Sequence, residues 1–275
     1  SLPFDWYQQF KLEGKFGFNN QSPRLWIADK VKELILGIVM LTFLFSIIHL
    51  LYKQISILSP DFWWIFVFVV IYFLQIVLMI LWPRFILPIF NSLQKLDDSE
   101  LCDRLRILSE KTGFKTKEIL VMDGSKRSGH SNAFFTGFGK FRKIVLYDTL
   151  INQMEKSQII AVVAHEIGHY KLGHIPKRLA LSFFTGFIFF FLIAQLMSSS
   201  WFVEQLNIPT LFEGEIGPVL LAFVFFGGSI SFWLSPLSNF FSRRHEFEAD
   251  NYAVSMTESQ VHLSSALKKL TAKKI

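Results

Sequence analysis

Two histidines and a glutamate in the middle of the chain have the spacing of a metal-binding motif. The segment 161–170 reads AVVAHEIGHY and contains His165, Glu166 and His169 in the pattern His-Glu-x-x-His. Residues four apart lie on the same face of an α-helix, so both imidazoles can reach one metal ion. Glu166 is then placed beside the open coordination position, where it can take a proton from a water molecule. The segment therefore predicts part of a hydrolytic zinc site.

A catalytic zinc ion usually has three protein ligands, so a third must come from elsewhere in the chain. In one class of zinc site, a third histidine follows six residues after the second, with a glycine at the third position. Here those positions hold Ile175 and Leu172, which excludes this class. His174 is nearby, but nine helical residues after His165 it is expected on the opposite face, in a structural or interfacial role.

A second cluster, SRRHEFEAD at 242–250, offers the remaining candidates. Glu246 and Asp250 are four residues apart and share a helix face. One of them can therefore bind the metal while the other orients a ligand histidine. Glu248 points elsewhere on that helix and is the weaker candidate. The spacing alone leaves the choice between Glu246 and Asp250 open.

The elements that must position these residues include membrane spans. Of the 275 residues, 51% are hydrophobic and 18% are charged, and 32 are phenylalanine. About 20 apolar residues cross the hydrocarbon core of a bilayer. The single cysteine, Cys102, excludes an internal disulfide framework and leaves a zinc site to histidine and carboxylate ligands. Four segments are apolar and long enough to be spans: 31–52, 62–82, 179–203 and 217–241.

Four spans place three polar regions on one side of the membrane: the aromatic segment 1–30, the region 91–178 and the tail 242–275. Of the 28 Lys and Arg residues, only Lys53 lies on the other side. The positive-inside rule makes the basic side cytoplasmic. The net charge of +6 follows from this topology, and we expect no nucleic-acid partner. Both candidate half-sites therefore share the cytoplasmic compartment.

The predicted organisation is an interfacial aromatic loop (1–30), transmembrane helices (31–90), a cytoplasmic domain (91–178), transmembrane helices (179–241) and a C-terminal helix (242–275). Within 91–178, charged and apolar residues alternate at helical spacing over 93–112 and predict an amphipathic helix. Two β-branched runs, 118–123 and 143–147, predict strands, and 128–137 predicts a loop entering an edge strand. The motif helix is expected to begin with a capping box at 152–155 and to close at Gly173 and Pro176.

Four motifs follow one another along the chain: KFGFN at 15–19, SNAFF at 131–135 followed by KIVLYDTL at 143–150, HEIGHYKLGH at 165–174, and SRRxExxAD at 242–250. In this order they resemble the Ste24-type CAAX prenyl proteases, integral-membrane zinc metalloproteases of the M48 class. The HtpX-type membrane proteases of the same class share the zinc motifs and four spans but lack the KFGFN motif. They remain the alternative, together with a non-catalytic membrane protein clamped by zinc.

The resemblance implies an α-helical multi-pass membrane protein with about four transmembrane helices in this chain and a gluzincin-like zinc protease domain with a small β edge. It implies one zinc ion per chain and a metalloendopeptidase that cleaves near the C-terminus of prenylated (CAAX-type) or other membrane-associated proteins. The expected partners are a peptide or protein substrate and membrane lipid. The expected location is a bacterial inner membrane or the eukaryotic endoplasmic reticulum, with the zinc site on the cytoplasmic side.

The resemblance also assigns residues. It implies His165, His169 and Glu246 as zinc ligands and Glu166 as general base and then general acid. Asp250 is implied as the group that orients a ligand histidine. Asn132 and Ala133 are implied as substrate-binding groups on the edge strand.

Four nearby residues have alternative interpretations. Asn132 is also explained as a turn residue that tolerates an unusual backbone angle. Lys126 and Arg127 would contact an acidic substrate or lipid headgroups, or form a solvated basic loop. His130 would be a proton donor near the site, or a loop residue without a chemical role. The family also implies an oxyanion-stabilising histidine well after Asp250, and His262 lies too near to be that residue.

Overall fold

Helices make up most of the chain in the computed structural model, which describes residues 2–137, 142–205 and 215–272. The expected helical membrane architecture with a small sheet is observed. Short π-helical segments, Gln8–Glu13 and Trp82–Ile86, follow the first and third α-helices. The α-helices are α1 Leu2–Tyr7, α2 Pro23–Leu58, α3 Trp63–Leu81, α4 Leu87–Phe90, α5 Ser99–Lys111, α6 Asp148–Gln153, α7 Lys156–Lys171, α8 His174–Met197, α9 Ser200–Gln205, α10 Ile216–Thr257 and α11 Gln260–Ala272.

Three stretches among the described residues are long and apolar enough to cross a membrane: Pro23–Leu58, Trp63–Phe90 and His174–Met197. They correspond to three of the four predicted spans, although the third stretch ends at Met197 and not at residue 203. The fourth predicted span, 217–241, is helical as part of α10, but it includes side chains outside the described part and stays a prediction. The first stretch begins well before the expected residue 31. Its start is favoured by Pro23, whose missing N–H costs nothing in the first helical turn.

The described residues divide into two compact units. The first unit comprises the described residues of Ser1–Val31, Ile80–His174 and Arg244–Ile275, and it contains all the candidate site residues. The second unit comprises Lys32–Met79 and the described residues of Ile175–Arg243. Its core is rich in aromatic residues, and the buried ring of Phe68 meets the Phe183 and Phe187 rings with centroids 5.1 and 5.7 Å apart.

The first unit contains a four-stranded sheet in the order β1-β2-β4-β3. Both predicted strands are present and pair in parallel, and the two outer strands run antiparallel to them. The third predicted element, an edge strand after the 128–132 loop, is also present. The strands are β1 Leu93–Lys95, β2 Glu118–Met122, β3 Ala133–Thr136 and β4 Lys143–Tyr147.

The expectation of one amphipathic helix over 93–112 is wrong at its start. Residues Leu93–Lys95 instead form β1 and pair with Leu120–Met122 of the neighbouring strand. The helix begins only after Asp98, whose Oδ1 accepts a hydrogen bond from the Leu101 N–H at 3.0 Å. An N-cap aspartate satisfies an N–H group that has no partner within the first helical turn, so it fixes the helix start at this point.

Helix α7 is the centre of the first unit's core. Its buried residues lie around most of its circumference, and they include Ile159, Val163 and Ile167. The helix begins three residues later than the predicted capping box, because Gln158 Oε1 accepts from the Glu155 N–H at 3.1 Å. It ends at Lys171, and Gly173 then adopts φ +68°, a left-handed conformation that favours glycine. The chain turns there, and a new helix begins at His174.

Candidate active site

The two halves of the candidate site come together because helices α7 and α10 approach closely at Gly168. A Cβ atom at this position would lie 3.2 Å from the Ala249 carbonyl oxygen and 3.1 Å from Cδ1 of Tyr252. Ala249 and Ala253, on the facing side of α10, are completely buried. Only small residues allow two helix backbones to approach in this way. This contact brings both motif histidines beside the carboxylates of the later helix.

Three donor atoms converge at the end of this helix contact. The Nε2 atoms of His165 and His169 are 3.1 Å apart. Oε2 of Glu246 lies 3.4 Å from Nε2 of His165 and 3.6 Å from Nε2 of His169. In a tetrahedral zinc site with bonds of about 2.0–2.1 Å, neighbouring donor atoms lie roughly 3.3 Å apart. Two imidazole nitrogens and one carboxylate oxygen at these distances therefore fit a single zinc ion.

Asp250 contacts the opposite side of the His165 ring. Its Oδ1 lies 2.8 Å from Nδ1 of His165, the nitrogen that faces away from the donor cluster. A hydrogen bond at Nδ1 fixes the ring orientation and leaves the Nε2 lone pair directed toward the metal position. The two acidic residues that the spacing left open thus occupy different places: Glu246 lies among the donor atoms, and Asp250 lies behind one of the histidines.

His174 lies against His169, and the expectation that it faces away is wrong. Its Nδ1 is 2.8 Å from Nδ1 of His169, and the residue is 1% exposed. Its Nε2 lies 3.1 Å from Oε2 of Glu248, the residue that the sequence ranked as the weaker candidate. The expectation assumes one continuous helix from His165 to His174, but α7 ends at Lys171 and the chain turns at Gly173. This turn brings His174 back against His169. Gly173, a residue type common just after helix ends, is the sequence signal for this break.

Glu166 is partly buried beside the donor cluster. Burial raises the pKa of Glu166 to about 7, the neighbouring His165 imidazole opposes this rise, and the Glu246 carboxylate adds to it. A carboxyl group placed beside a metal position can exchange protons with water and with a leaving group. Its position next to His165 on α7 is the one that the motif predicts.

Strand β3 gives the sheet an edge next to α7. Within the described part of the chain it pairs on one side only, with β4. The side chain of Ala133 is buried in the core, so this residue can offer only backbone groups. Asn132 Oδ1 accepts from the Ala133 N–H at 2.9 Å, and its carbonyl accepts from the Tyr147 N–H at 3.0 Å. Asn132 is not a positive-φ residue, since Glu258 alone has that conformation among the described non-glycine residues.

The loop before β3 holds the N-terminal KFGFN motif. The Gly129 N–H donates to the Phe18 carbonyl at 2.8 Å, and the Phe18 ring stacks on His130 at 4.5 Å. Nε2 of His130 also lies 3.1 Å from Oε2 of Glu13. These contacts make His130 a link between two segments of the first unit.

Arg127 in the same loop forms an ion pair with a buried carboxylate, so the expectation of a solvated basic loop is wrong for this residue. Its Nε and NH2 groups donate to the two carboxylate oxygens of Asp29 at 2.8 and 3.1 Å. Asp29 is only 5% exposed. The neighbouring Lys126 side chain is 63% exposed and pairs with Asp123, which agrees with the solvated interpretation.

Comparison with known proteins shows similarity over nearly the whole chain. Residues 95–273 match the model of peptidase family M48, and residues 1–92 match the model described as "CAAX prenyl protease N-terminal, five membrane helices". CAAX prenyl protease 1 of Saccharomyces cerevisiae is 35% identical over 92% of this chain and 58% of its own length. The CAAX prenyl protease 1 homolog of Taenia solium is 33% identical over 98% of this chain and 62% of its own length.

The fold is also similar to a solved structure. The crystal structure of S. mikatae Ste24p superposes with a TM-score of 0.86 at 33% identity, covering 99% of this chain and 65% of that one. This chain thus spans less than two thirds of the length of these relatives. The matches confirm the resemblance predicted from the four motifs, and they identify an integral membrane protein.

Proposed function

Because this chain belongs to peptidase family M48, we propose that it is the membrane-embedded zinc metalloendopeptidase that its motifs predict. The observation that carries this proposal is the convergence of His165, His169 and Glu246 on one point, with Glu166 beside it. We assign the first three residues as zinc ligands, one ion per chain. Asp250 orients His165, and Glu166 is the general base and acid.

The chemistry follows from these positions. A zinc ion in this site supplies Lewis acidity, which polarises both the scissile carbonyl group and the attacking water. Glu166 takes the proton of that water and then delivers it to the nitrogen of the leaving amine. Its partly buried carboxyl holds this proton between the two steps, because burial disfavours the charged form. His165 and His169 keep their Nε2 lone pairs directed at the metal because their Nδ1 atoms are hydrogen-bonded.

We propose that the substrate binds as an extended peptide along the free edge of β3. Such an edge presents unpaired N–H and C=O groups, which can pair with the backbone of an added strand. Asn132 and Ala133 begin this edge. The Ala133 side chain is buried and its N–H donates to Asn132 Oδ1, so a peptide that pairs with this N–H would replace the Asn132 side chain as its acceptor. The strand packs against α7, so a peptide on this edge lies next to the helix that carries the metal ligands.

The substrate class comes from the relatives. The similar proteins from Saccharomyces cerevisiae and Taenia solium are named CAAX prenyl proteases, and the match of residues 1–92 to the CAAX prenyl protease N-terminal model favours this branch over the HtpX type. We therefore propose prenylated CAAX-type C-termini as substrates, with the site facing the cytoplasm as the distribution of Lys and Arg indicates.

Zinc content and cleavage should be measured together on the purified protein. We expect chelator-sensitive cleavage of a farnesylated CAAX peptide and little cleavage of the same peptide without the prenyl group. Glu166→Gln should keep about one zinc per chain and lose cleavage by a factor of at least about 10², the low end for a general acid–base residue. His165→Ala should lose both, and Glu110→Gln, an exposed glutamate on α5, should lose neither.

Three results would each contradict part of the proposal. Cleavage retained by Glu166→Gln protein, free of contaminating protease, would exclude this mechanism. Bound zinc without chelator-sensitive cleavage would instead favour a structural zinc clamp. Equal cleavage of both peptides would keep the metalloendopeptidase but exclude the prenyl group as a determinant.

A further inference from the structure

The Nδ1 atoms of His165 and His169 have different hydrogen-bond partners. His165 is hydrogen-bonded directly by the carboxylate of Asp250. His169 instead faces a third imidazole, with its Nδ1 2.8 Å from Nδ1 of His174. A carboxylate, Glu248, lies beyond that imidazole, with Oε2 3.1 Å from Nε2 of His174. Both of these carboxylates come from one stretch of α10.

These contacts allow only one arrangement of protons when His169 binds a metal through Nε2. The remaining proton of its neutral ring is then on Nδ1, which must donate. Nδ1 of His174 must therefore accept, and the proton of this second ring is on Nε2, directed at Glu248. A carboxylate accepts such a hydrogen bond without conflict. The contact between His169 and His174 and the contact between His174 and Glu248 thus each have one donor and one acceptor.

The surroundings of His174 hold it in this orientation. The residue is 1% exposed, and the ring of His245 stacks on it with centroids 4.1 Å apart and an interplanar angle of 15°. Arg244 Nε donates to the other oxygen of Glu248 at 2.9 Å. The imidazole therefore has little freedom to rotate, and its carboxylate partner is itself held.

We propose that His174 and Glu248 form a positioning pair that orients His169 for metal binding, as Asp250 orients His165. His174 takes no part in the reaction itself. It accepts the Nδ1 proton of His169, which fixes the tautomer of that ring and raises the electron density at its Nε2. The inference rests on the zinc site proposed above and adds two residues outside the His-Glu-x-x-His pattern.

The pair differs from ordinary core packing in a way that can be measured. Removal of an outer hydrogen-bond partner of a metal ligand typically lowers metal affinity by about 10- to 100-fold. A packing role would depend on the shape of the side chain at position 174, whereas a positioning role depends on an acceptor next to Nδ1 of His169. Phenylalanine keeps the ring without an acceptor. Asparagine keeps an acceptor at the place of Nδ1 without the ring.

The experiment uses the purified protein in detergent and measures zinc affinity by chelator competition and the zinc dissociation rate. We expect His174→Phe to lower zinc affinity by about 10- to 100-fold, and His174→Asn to retain most of it. Glu248→Gln should cause a smaller loss, and it should add little when combined with His174→Phe, because both act through one ring. The absorption spectrum of the cobalt-substituted protein should change in His174→Phe. His262→Phe, on α11, should behave as wild type and is the matched control.

Each outcome has a defined meaning. If His174→Phe and Glu248→Gln bind zinc with wild-type affinity and dissociation rate, the positioning pair is excluded. If His174→Asn is as impaired as His174→Phe, the role is one of packing and the proposal fails. If His174→Phe does not fold, Glu248→Gln and His174→Asn still decide between the two roles. A wild-type protein that binds no zinc would overturn the proposed function itself.

Discussion

A methyl group added at Gly168 should separate the two halves of the metal site. The Cβ atom of Gly168→Ala would lie 3.1–3.2 Å from Ala249 and Tyr252 of the facing helix, and one of these contacts is to a backbone carbonyl oxygen. Ordinary contacts at Cβ are 3.4 Å or longer. Helices α7 and α10 must therefore separate by a few tenths of an ångström at this point.

The expected size of the effect follows from two opposing contributions. Overpacking in a well-packed core costs about 1–3 kcal/mol, while replacing glycine by alanine inside a helix gains about 1 kcal/mol. The net loss of stability should thus be about 0–2 kcal/mol. The metal site is more sensitive, because ligand distances tolerate changes of only about 0.2 Å. If about 1 kcal/mol of the strain falls on the donor cluster, zinc affinity falls roughly fivefold.

The assay compares zinc affinity and thermal midpoint for three variants in detergent. Gly168→Ala should weaken zinc binding more than it lowers the midpoint, and Gly168→Val should abolish tight zinc binding. Gly14→Ala is the matched control, because Gly14 has a helical backbone with φ −63° and nothing within 4 Å of an added Cβ. Wild-type zinc affinity in both Gly168 variants would refute the idea that this close contact sets the ligand distances.

Two further predictions concern the first unit outside the metal site. Arg127→Met should lower stability by about 1–3 kcal/mol, because the buried Asp29 carboxylate loses its charged hydrogen-bond partner. The adjacent Lys126→Met should cost only about 0–1 kcal/mol, and equal thermal midpoints for the two variants would contradict this difference in burial. Lys156 hydrogen-bonds Asp98 and Glu100 and holds the pKa of both below its ordinary value. Their contribution to stability is present above the ordinary carboxyl pKa and is lost as pH falls through the lowered values. The midpoint of Lys156→Met should therefore lie below that of wild type at neutral pH and converge with it in acid, and a constant difference over that range would exclude this ion-pair contribution.

The helical membrane architecture, three spans and two central strands could be predicted because each depends on local pattern. A run of apolar residues indicates a span and a run of β-branched residues indicates a strand, whatever the rest of the fold is. Strand β1 was missed because three residues of charged and apolar character fit a helix as well as an edge strand. Only the pairing with β2 decides between them, and this pairing is a long-range contact that sequence periodicity does not contain.

The candidate site was predictable to the extent that its residues lie on regular helices. The spacing of His165 and His169 fixes a shared face, and so does the spacing of Glu246 and Asp250. The place of His174 was not predictable by counting turns, because the helix ends before it. The partner of Arg127 could not be predicted either, since Asp29 is 98 residues away in sequence and only the folded loop brings them together.

The separation of the site residues along the chain has a consequence for biosynthesis. His165 and Asp250 are 85 residues apart, and the intervening sequence includes the apolar helix His174–Met197 and most of α10. A nascent chain that has passed His174 but not Glu246 carries the histidines without the third ligand. Such a chain lacks one of the three proposed zinc ligands. The proposed metal site can therefore form only after the part of α10 that carries Glu246 has been made.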